Sequence, residues 1–390
     1  RPAVPDFDTV QPRPYRLRFT PDIISVGLGT NAYYGYGVAG QLAAVFTDLM
    51  GNHQIAVMGD IEGNLAEYIH LFASYLNLEH KLNFGGGAFY NREFTSASIF
   101  GDSLYFDTDE GLMFLLRFPF SMSTRIDVEG FYENLFRAPY LYDTVSGTPV
   151  TDHTRGSRVI NMFMPSVSLV YDDILWGITG PLNGTRGQAR VVVSPPLHFI
   201  DAAFASFDFD LRHYWHLFKR FVWANRLAFG VSIPLREGPD ARKFFLGGND
   251  NWLLYNYNAA AYQANIDNFF YSDIIVPLRG WDYLDIIGTK YTVVNTEFRF
   301  PFLKEMTIVW PLSLSLRYVN GAFFVDAGNA WNPDEQYAGV PLPKKIYGGV
   351  GGGLRANLGI FVLRWDRAWK TDFTTFFGPY KDYFSLGAEF

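Results

Sequence analysis

Residues 206–217 read SFDFDLRHYWHL. Taking every second residue separates Ser206, Asp208, Asp210, Arg212 and Tyr214 from Phe207, Phe209, Leu211, Trp215 and Leu217, with His213 as the one exception. A period of two is the signature of a strand, whose successive side chains point to opposite faces. A two-sided soluble sheet would give the same local reading, so recurrence decides. Gln54, Ala56, Met58, Asp60 and Glu62 oppose Ile55, Val57, Gly59 and Ile61. Asn295, Glu297 and Arg299 oppose Val294, Thr296, Phe298 and Phe300, and Arg364 and Asp366 oppose Phe361, Leu363 and Trp365. In each segment the polar file suits a watery lumen and the apolar file suits lipid, with Trp and Tyr near strand ends as interfacial anchors.

Composition narrows the class. The 390 residues include 37 Phe, 24 Tyr and 9 Trp, carry a formal charge of −7 and contain no cysteine. No stretch approaches the ~18 to 20 continuous apolar residues of a spanning helix. The other structure that satisfies every backbone group in lipid is a closed barrel of short alternating strands. At about 24 residues per strand with its share of loop, the chain accommodates roughly sixteen antiparallel strands. The fold class expected is therefore all-β, a sixteen-stranded transmembrane barrel. Mild acidity argues against a nucleic-acid partner, because phosphate binding needs a basic face. The missing cysteines are compatible with an oxidising compartment.

Pro2, Pro5, Pro12 and Pro14 disfavour regular structure at the start. Residues 1–20 read as a Pro-rich linker tethering an upstream module, and residues 21–390 as the barrel. The opening Arg1 lacks a charged-then-apolar leader, so a signal peptide is expected to have been removed or to lie upstream. Short turns are expected at Asp48–His53, Ser121–Arg125, Leu217–Arg220 and Ala356–Gly359. Long loops are expected at Asn91–Thr108, Ala138–Ser157, Leu235–Gly288, Asn332–Lys345 and Lys370–Asp382, giving a periplasmic and an extracellular rim. Leu303–Asn320 falls where a short turn belongs, yet is long, contains Trp310 and Pro311, and shifts the strand phase.

The chain ends YFSLGAEF over Tyr383–Phe390, with Phe384, Leu386, Ala388 and Phe390 on one face and Ser385, Gly387 and Glu389 on the other. Upstream come FLGG (Phe245–Gly248), LRGW (Leu278–Trp281), NTEF (Asn295–Phe298), FVDAGNAW (Phe324–Trp331), GVGGGLRAN (Gly349–Asn357) and IFVLRWD (Ile360–Asp366). This ordered set, over roughly the last 150 residues, resembles the C-terminal half of the BamA/TamA superfamily of outer-membrane insertases and translocators, also called bacterial surface-antigen barrels. The terminal strand resembles the signal by which outer-membrane barrels are recognised during assembly. PYRLRF (Pro14–Phe19) and FTDLMGNH (Phe46–His53) also resemble barrels that follow a TolB-type propeller.

The resemblance implies that the long loop between strands 11 and 12 folds into the lumen. Its tip, Arg279, Gly280 and Trp281, would bring Arg279 to Glu297 and Asp326, acids that the alternation independently puts on the lumenal face. A guanidinium fork can satisfy two carboxylates at once, which Lys does less well. Trp281 stands where the family has Phe or Tyr, and the Gly248–Leu278 spacing exceeds the usual one. The family's insertases carry POTRA domains before the barrel. The resemblance further implies a lateral gate between a weak first strand, about Ile23–Gly29 with Gly27 and Gly29, and a last strand represented by Phe384, Leu386, Gly387 and Phe390.

Catalytic signals are few. His53, His70, His80, His153, His198, His213 and His216 show no HExxH spacing, and GxSxG is absent. Asp107, Asp109 and Glu110 read as a solvated acidic loop lacking the EF-hand pattern. Asp152 with His153, or Asp210 with His213, would have to be brought together by the fold, and His213 has the parity of the lipid face. Gly348–Gly353 lacks GxGxxG spacing and reads as a tightly packed strand. No catalytic residue, metal or cofactor is expected. The partners expected are outer-membrane lipids and client or complex proteins of the outer membrane and periplasm. The function classes implied are insertion or translocation, a structural anchor for a periplasmic module, and a passive pore.

Overall fold

The computed structural model describes residues 15–31, 37–62, 68–96, 104–143, 148–152, 154, 156–218, 220–236, 241–253, 255–265, 269–308, 314–332, 345–358 and 362–387. The first half is a run of antiparallel neighbours: β1 (Phe19–Asn31), β2 (Gly37–Asp48), β3 (His53–Glu62), β4 (Tyr68–Asn77), β5 (Asn83–Ser96), β6 (Leu104–Pro119) and β7 (Thr124–Asp143). The short β8 (Thr148–Thr151) pairs with the far end of β7. β9 (Arg158–Phe163) and β10 (Ser166–Asp172) both lie along β7 and form two pieces of its next neighbour. β11 (Leu175–Gly177) is a small hairpin arm beside β12 (Gly180–Ser194), which continues the wall into β13 (Phe204–Phe218) and β14 (Phe221–Pro234).

A long insertion follows, carrying β15 (Phe244–Leu246), β16 (Trp252–Leu253), a short helix α1 (Ala259–Ala264), β17 (Asp273–Ile275) and β18 (Ile286–Gly288). The wall resumes with β19 (Lys290–Ile308), which pairs back to β14, and continues through β20 (Leu314–Trp331), β21 (Tyr347–Asn357), β22 (Val362–Thr371) and β23 (Phe376–Leu386). The architecture is an all-β antiparallel barrel wall in chain order.

Alternation sets the two faces. On β6, Leu112, Phe114, Leu116 and Phe118 are exposed, while Asp107 on the other face is buried. On β13, Leu211, Trp215 and Leu217 are exposed and Ser206 and Tyr214 are buried. Phe323 and Val325 are exposed beside buried Phe324 and Asp326 on β20. Apolar side chains outside and charged ones inside invert a soluble protein's pattern, and an outer apolar band this extensive demands lipid. The lumen is partly filled by the insertion, which leaves a cavity of about 600 Å³ between Phe72, Met113 and Phe131 of the wall and Arg242 and Tyr271 of the insertion.

Several expected boundaries change. The first strand runs for 13 residues, longer than Ile23–Gly29, because its edge keeps pairing with β2 from Phe19↔Asp48 to Asn31↔Gly37. Asn91–Thr108 is largely strand: Arg92↔Thr108 and Glu93↔Asp107 are ladder pairs. β7 likewise extends to Asp143 within the expected loop Ala138–Ser157. Backbone pairing is indifferent to side-chain polarity, so strands that continue beyond the apolar band look like loops in the sequence. Lys370–Asp382 is the end of β22, a tight turn at Asp372–Thr375 and the start of β23 rather than a long loop. The Asp372 carboxylate accepts from the Thr374 and Thr375 amides at 3.0 and 2.8 Å and from the Thr374 hydroxyl at 2.6 Å. These donors, the Thr374 hydroxyl foremost, hold that carboxyl below its ordinary value.

Leu303–Asn320 is mostly strand too. Glu305↔Arg317 and Ile308↔Leu314 continue the β19–β20 hairpin past the point where β14 ends. The shifted phase has a cause: the register slips between Pro301 and Leu303, where a bulge turns one face into the other. Ala388, Glu389, Phe390, His153 and most of Asn332–Lys345 lie outside the described residues.

Leu112 sits midway along β6 on the outer face. Leu112→Arg is expected to destabilise the folded barrel by about 2–4 kcal/mol, as cations do near the bilayer midplane, and Leu112→Val to change it little. Urea titration of the protein in lipid vesicles, followed by tryptophan fluorescence, measures both.

Candidate functional site

The insertion has its own small sheet. Phe244–Leu246 pairs in parallel with Asp273–Ile275 and antiparallel with Ile286–Gly288, tying its two ends together. Phe244, Leu246, Leu278, Trp281 and Ile286 then pack on Ala228, Tyr291, Val293 and Ala330 of the wall. Polar side chains of the wall and of the insertion fix the rest. Arg226 donates to the Val276 carbonyl and to Asp210, and Arg242 bridges Asp273 and Asp208. The segment around the tip is thus anchored to the wall by apolar packing and by polar ties before Arg279 is reached.

Arg279 is fully buried. Its Nε and second terminal nitrogen grip the two oxygens of Asp326 at 2.7 and 2.9 Å, and its own backbone N–H adds a third bond to Asp326 at 3.0 Å. The remaining terminal nitrogen donates to Glu297 at 2.8 Å and reaches Asp366 at 3.5 Å. The guanidinium carbon lies 3.4 Å from the centroid of the Phe324 ring, so one flat face rests on an aromatic. A planar fork in this setting uses its edges for carboxylates and its face for the ring, a combination an ammonium cannot reproduce.

The carboxylates are held in turn. Arg355 joins Glu297 at 3.0 Å to Asp366 at 2.5 Å, Arg299 donates to the other oxygen of Glu297 at 2.7 Å, and Asn295 donates to Asp326 at 2.8 Å. Arg364 approaches Asp366 at 3.4 Å. Four guanidiniums therefore share three carboxylates from β19, β20 and β22 in a region without exposed charge. Burial is tolerable because each of the three carboxylates is met by several donors, and removal of a central cation leaves them uncompensated.

Two glycines make the approach geometrically feasible. Gly280 has φ +98°, in the region that L side chains avoid, and turns the chain directly after Arg279. Across from it, a Cβ at Gly349 would collide with the Arg279 carbonyl oxygen. The Gly-rich stretch of β21 is the surface against which the loop tip lies. Beyond it, Trp281 donates from Nε1 to the Gly348 carbonyl at 2.9 Å and is covered by Lys370, whose Nζ is 3.6 Å from the ring centroid.

The last strand meets the same tip. Tyr383, fully buried, accepts at its hydroxyl from the Gly280 N–H at 2.7 Å and donates to the Trp281 carbonyl at 2.9 Å. Phe384 is exposed and Ser385 buried, in keeping with their parity. Leu386 ends β23, and Gly387, at φ +124°, bonds back to the Val362 carbonyl at 2.9 Å.

Arg279, Gly280, Trp281, Glu297 and Asp326 thus occur together, whereas Phe384 lies outward and Phe390 is beyond the described residues. The sequence reading did not assign Asp366, Arg355, Arg299, Arg364 or Tyr383 to the cluster. Parity had placed Asp366, Arg299 and Arg364 on the lumenal face, and their shared depth was the missing coordinate. The other candidates disperse. His213 bonds the Thr185 hydroxyl at 2.7 Å, Asp210 is engaged by Arg212 and Arg226, and Asp107 pairs with Arg137 at 2.8 Å. Among the described residues no cluster of three or more His, Cys, Asp or Glu is placed to hold a metal.

Arg279→Ala removes the central cation from this cluster. A loss of about 3–5 kcal/mol is expected, with a partial loss for Arg279→Lys, which keeps charge and forfeits the fork. Thermal unfolding in detergent orders the three proteins, and equal midpoints would refute the role given to the cluster. Gly349→Val should cost about 1–3 kcal/mol by forcing the tip away, read out in the same melts and by new protease cleavage within residues 241–289.

The Omp85 superfamily domain matches residues 75–390. Among solved structures, BamA from Haemophilus ducreyi lacking POTRA domains 1–3 is similar at 14% identity and a TM-score of 0.57, covering 94% of this chain and 74% of that one. CdiB from Escherichia coli is similar at 12% identity and a TM-score of 0.51, covering 96% and 67%. At such identities the likeness is one of fold. No curated protein matches the chain significantly.

Proposed function

Because the chain belongs to the Omp85 superfamily, we propose that it works in the outer membrane of a Gram-negative-type bacterium, in outer-membrane protein assembly or protein translocation. The observation that carries this reading is the coincidence of two features at one place. A buried ion cluster fixes the lumenal loop to β19, β20 and β22, and that same loop touches the terminal strand through Tyr383. A loop fastened so heavily inside the lumen narrows the open path that a passive pore needs. A barrel that must reshape its terminal strand has a use for it, because the fastened loop supplies a rigid inner support against which the seam can move.

The same reading makes the chemistry non-enzymatic: the work is backbone pairing offered at a strand edge, with no bond made or broken. Its partners are outer-membrane lipids around the apolar band, client barrels or exported proteins at the seam, and periplasmic proteins at the short-turn rim. The terminal-strand residues Phe384, Leu386 and Gly387 belong to the seam, and Arg279, Gly280, Trp281, Glu297 and Asp326 to the loop lock. Of the expected linker 1–20, Phe19 and Thr20 of β1 already pair with Asp48 and Thr47 of β2, so only the residues ahead of them serve as a linker to the barrel.

Vesicles containing the purified protein are expected to accelerate folding of a urea-unfolded outer-membrane barrel several-fold over empty vesicles, while planar bilayers show little steady conductance. Arg279→Ala should reduce the acceleration. A large, constantly open conductance with no effect on client folding would overturn the reading in favour of a pore. Unchanged client folding together with stable co-purifying envelope proteins would overturn it in favour of a structural anchor.

A further inference from the structure

An edge strand presents a row of unpaired N–H and C=O groups, and a strand at a seam must leave that row open, close it with the first strand, or cover it otherwise. β23 has β22 along one side. Along its other side, near its C-terminal end, lies neither open space nor β1 but a piece of the lumenal loop. Trp252 pairs with Ser385 and Leu253 with Phe384, antiparallel, and the Leu386 N–H donates to the Asn251 carbonyl at 3.3 Å. Among the described residues, the pairings of β1 are with β2.

Side chains secure this short piece. Trp252 is buried with its ring centroid 4.6 Å from that of Tyr383. Asn249, fully buried, donates to the Ser385 hydroxyl at 3.3 Å and to Asp366 at 3.4 Å, and its carbonyl oxygen accepts from Arg364 at 3.4 Å. The Tyr283 hydroxyl donates to the Asn249 backbone carbonyl. The piece is also joined to the Arg279 tip: the Leu278 N–H donates to the Gly248 carbonyl at 3.1 Å, and the Gly248 N–H to the Trp281 carbonyl at 2.9 Å. Asp366 is a shared partner of Asn249 and Arg279.

We propose that Asn249–Leu253 is a built-in edge cap, a strand mimic that occupies the seam edge of β23 at rest and is displaced by an incoming β-strand. Displacement exchanges one set of backbone bonds for an equivalent set, so the ladder itself presents little obstacle. The cap covers two residues of an eleven-residue strand, and a short ladder is easily outcompeted by a longer one. Its hold comes from Trp252 and Asn249, and through Asp366 and Gly248 it is tied to the loop lock. Loosening the Arg279 cluster therefore loosens the cap. The cap as a structure stands on these pairings alone, while the nature of the strand that displaces it rests on the function proposed above.

The chain contains no cysteine, so engineered pairs are unambiguous. Directly opposed residues of an antiparallel pair lie within disulfide reach. In native outer membranes, full-length protein carrying Leu253→Cys with Phe384→Cys, a pair that leaves Trp252, Asn249 and Ser385 in place, is expected to cross-link under mild oxidant. Phe384→Cys combined with Cys at Ile23, Ile24, Ser25 or Val26 of β1 should give less than a tenth of that yield. A synthetic peptide copying Tyr383–Phe390, added before oxidation, should lower the 253–384 yield several-fold. Cross-linking to β1 without cross-linking to the loop would overturn the cap, and a 253–384 yield indifferent to saturating peptide would overturn its displacement. Failure of the function proposal is separately visible as absence of client folding by the reduced protein, whose cap is free to leave, whatever the cross-links show.

Discussion

A guanidinium taken out of water must find its hydrogen-bond partners within the protein, and much of this structure is arranged around Arg279 meeting that requirement. Its five donor hydrogens lie in one plane, which limits where carboxylates can stand. Asp326 takes one edge in bidentate fashion, Glu297 and Asp366 share the other, and Phe324 covers a face. These acids come from three strands, β19, β20 and β22, with glycine-rich β21 between the last two. A Cβ at Gly349 would stand where the Arg279 carbonyl lies. The bareness of β21 and the charge of its neighbours are two halves of one constraint.

The bilayer supplies the complementary constraint outside. Hydrocarbon offers no hydrogen bonds, so the backbone must be satisfied laterally, and side chains on the outer face must be apolar. Those two demands produce a strict period of two, and this is why the architecture was legible from Ser206–Leu217 and its repeats. Legibility failed where a demand lapses. Arg92, Glu93, Asp107 and Thr108 remain in a ladder although their polarity suggested a loop, because beyond the apolar band pairing continues without the lipid requirement. At Pro301–Leu303 the bulge inverts the faces, and a reading by parity loses phase there. The turn at Asp372–Thr375 was hidden for another reason: its compactness arises from a single carboxylate collecting nearby donors, a local chemistry that hydrophobic periodicity does not register.

For the site, parity and motif order brought out Arg279, Glu297 and Asp326. Parity gives the face on which a residue lies but not its height along the barrel, and height depends on register between strands distant in sequence. Asp366 and Arg355 face each other across β21 and β22 only because Gly353 is opposite Asp366 and Leu354 is opposite Trp365. Tyr383 was hidden more deeply. It sits in the terminal strand, where the aromatic pattern drew attention to Phe384 and the lipid face, while its own hydroxyl points inward to the loop tip.

The juxtaposition of lock and last strand carries a mechanical consequence. Backbone bonds at an edge are interchangeable among strands, so the selectivity of a seam cannot reside in the ladder itself. It must reside in what holds the competing strand in place. Here that is Trp252 against Tyr383 and Asn249 among Ser385, Asp366 and Arg364. Because Asp366 also faces Arg279, the ion cluster and the seam draw on one carboxylate, and a change in either redistributes its partners. The ion cluster and the last strand are thus joined through Asp366, through Tyr383 on the loop tip and through the backbone bonds of Gly248, three links by which a shift of the loop reaches the terminal strand.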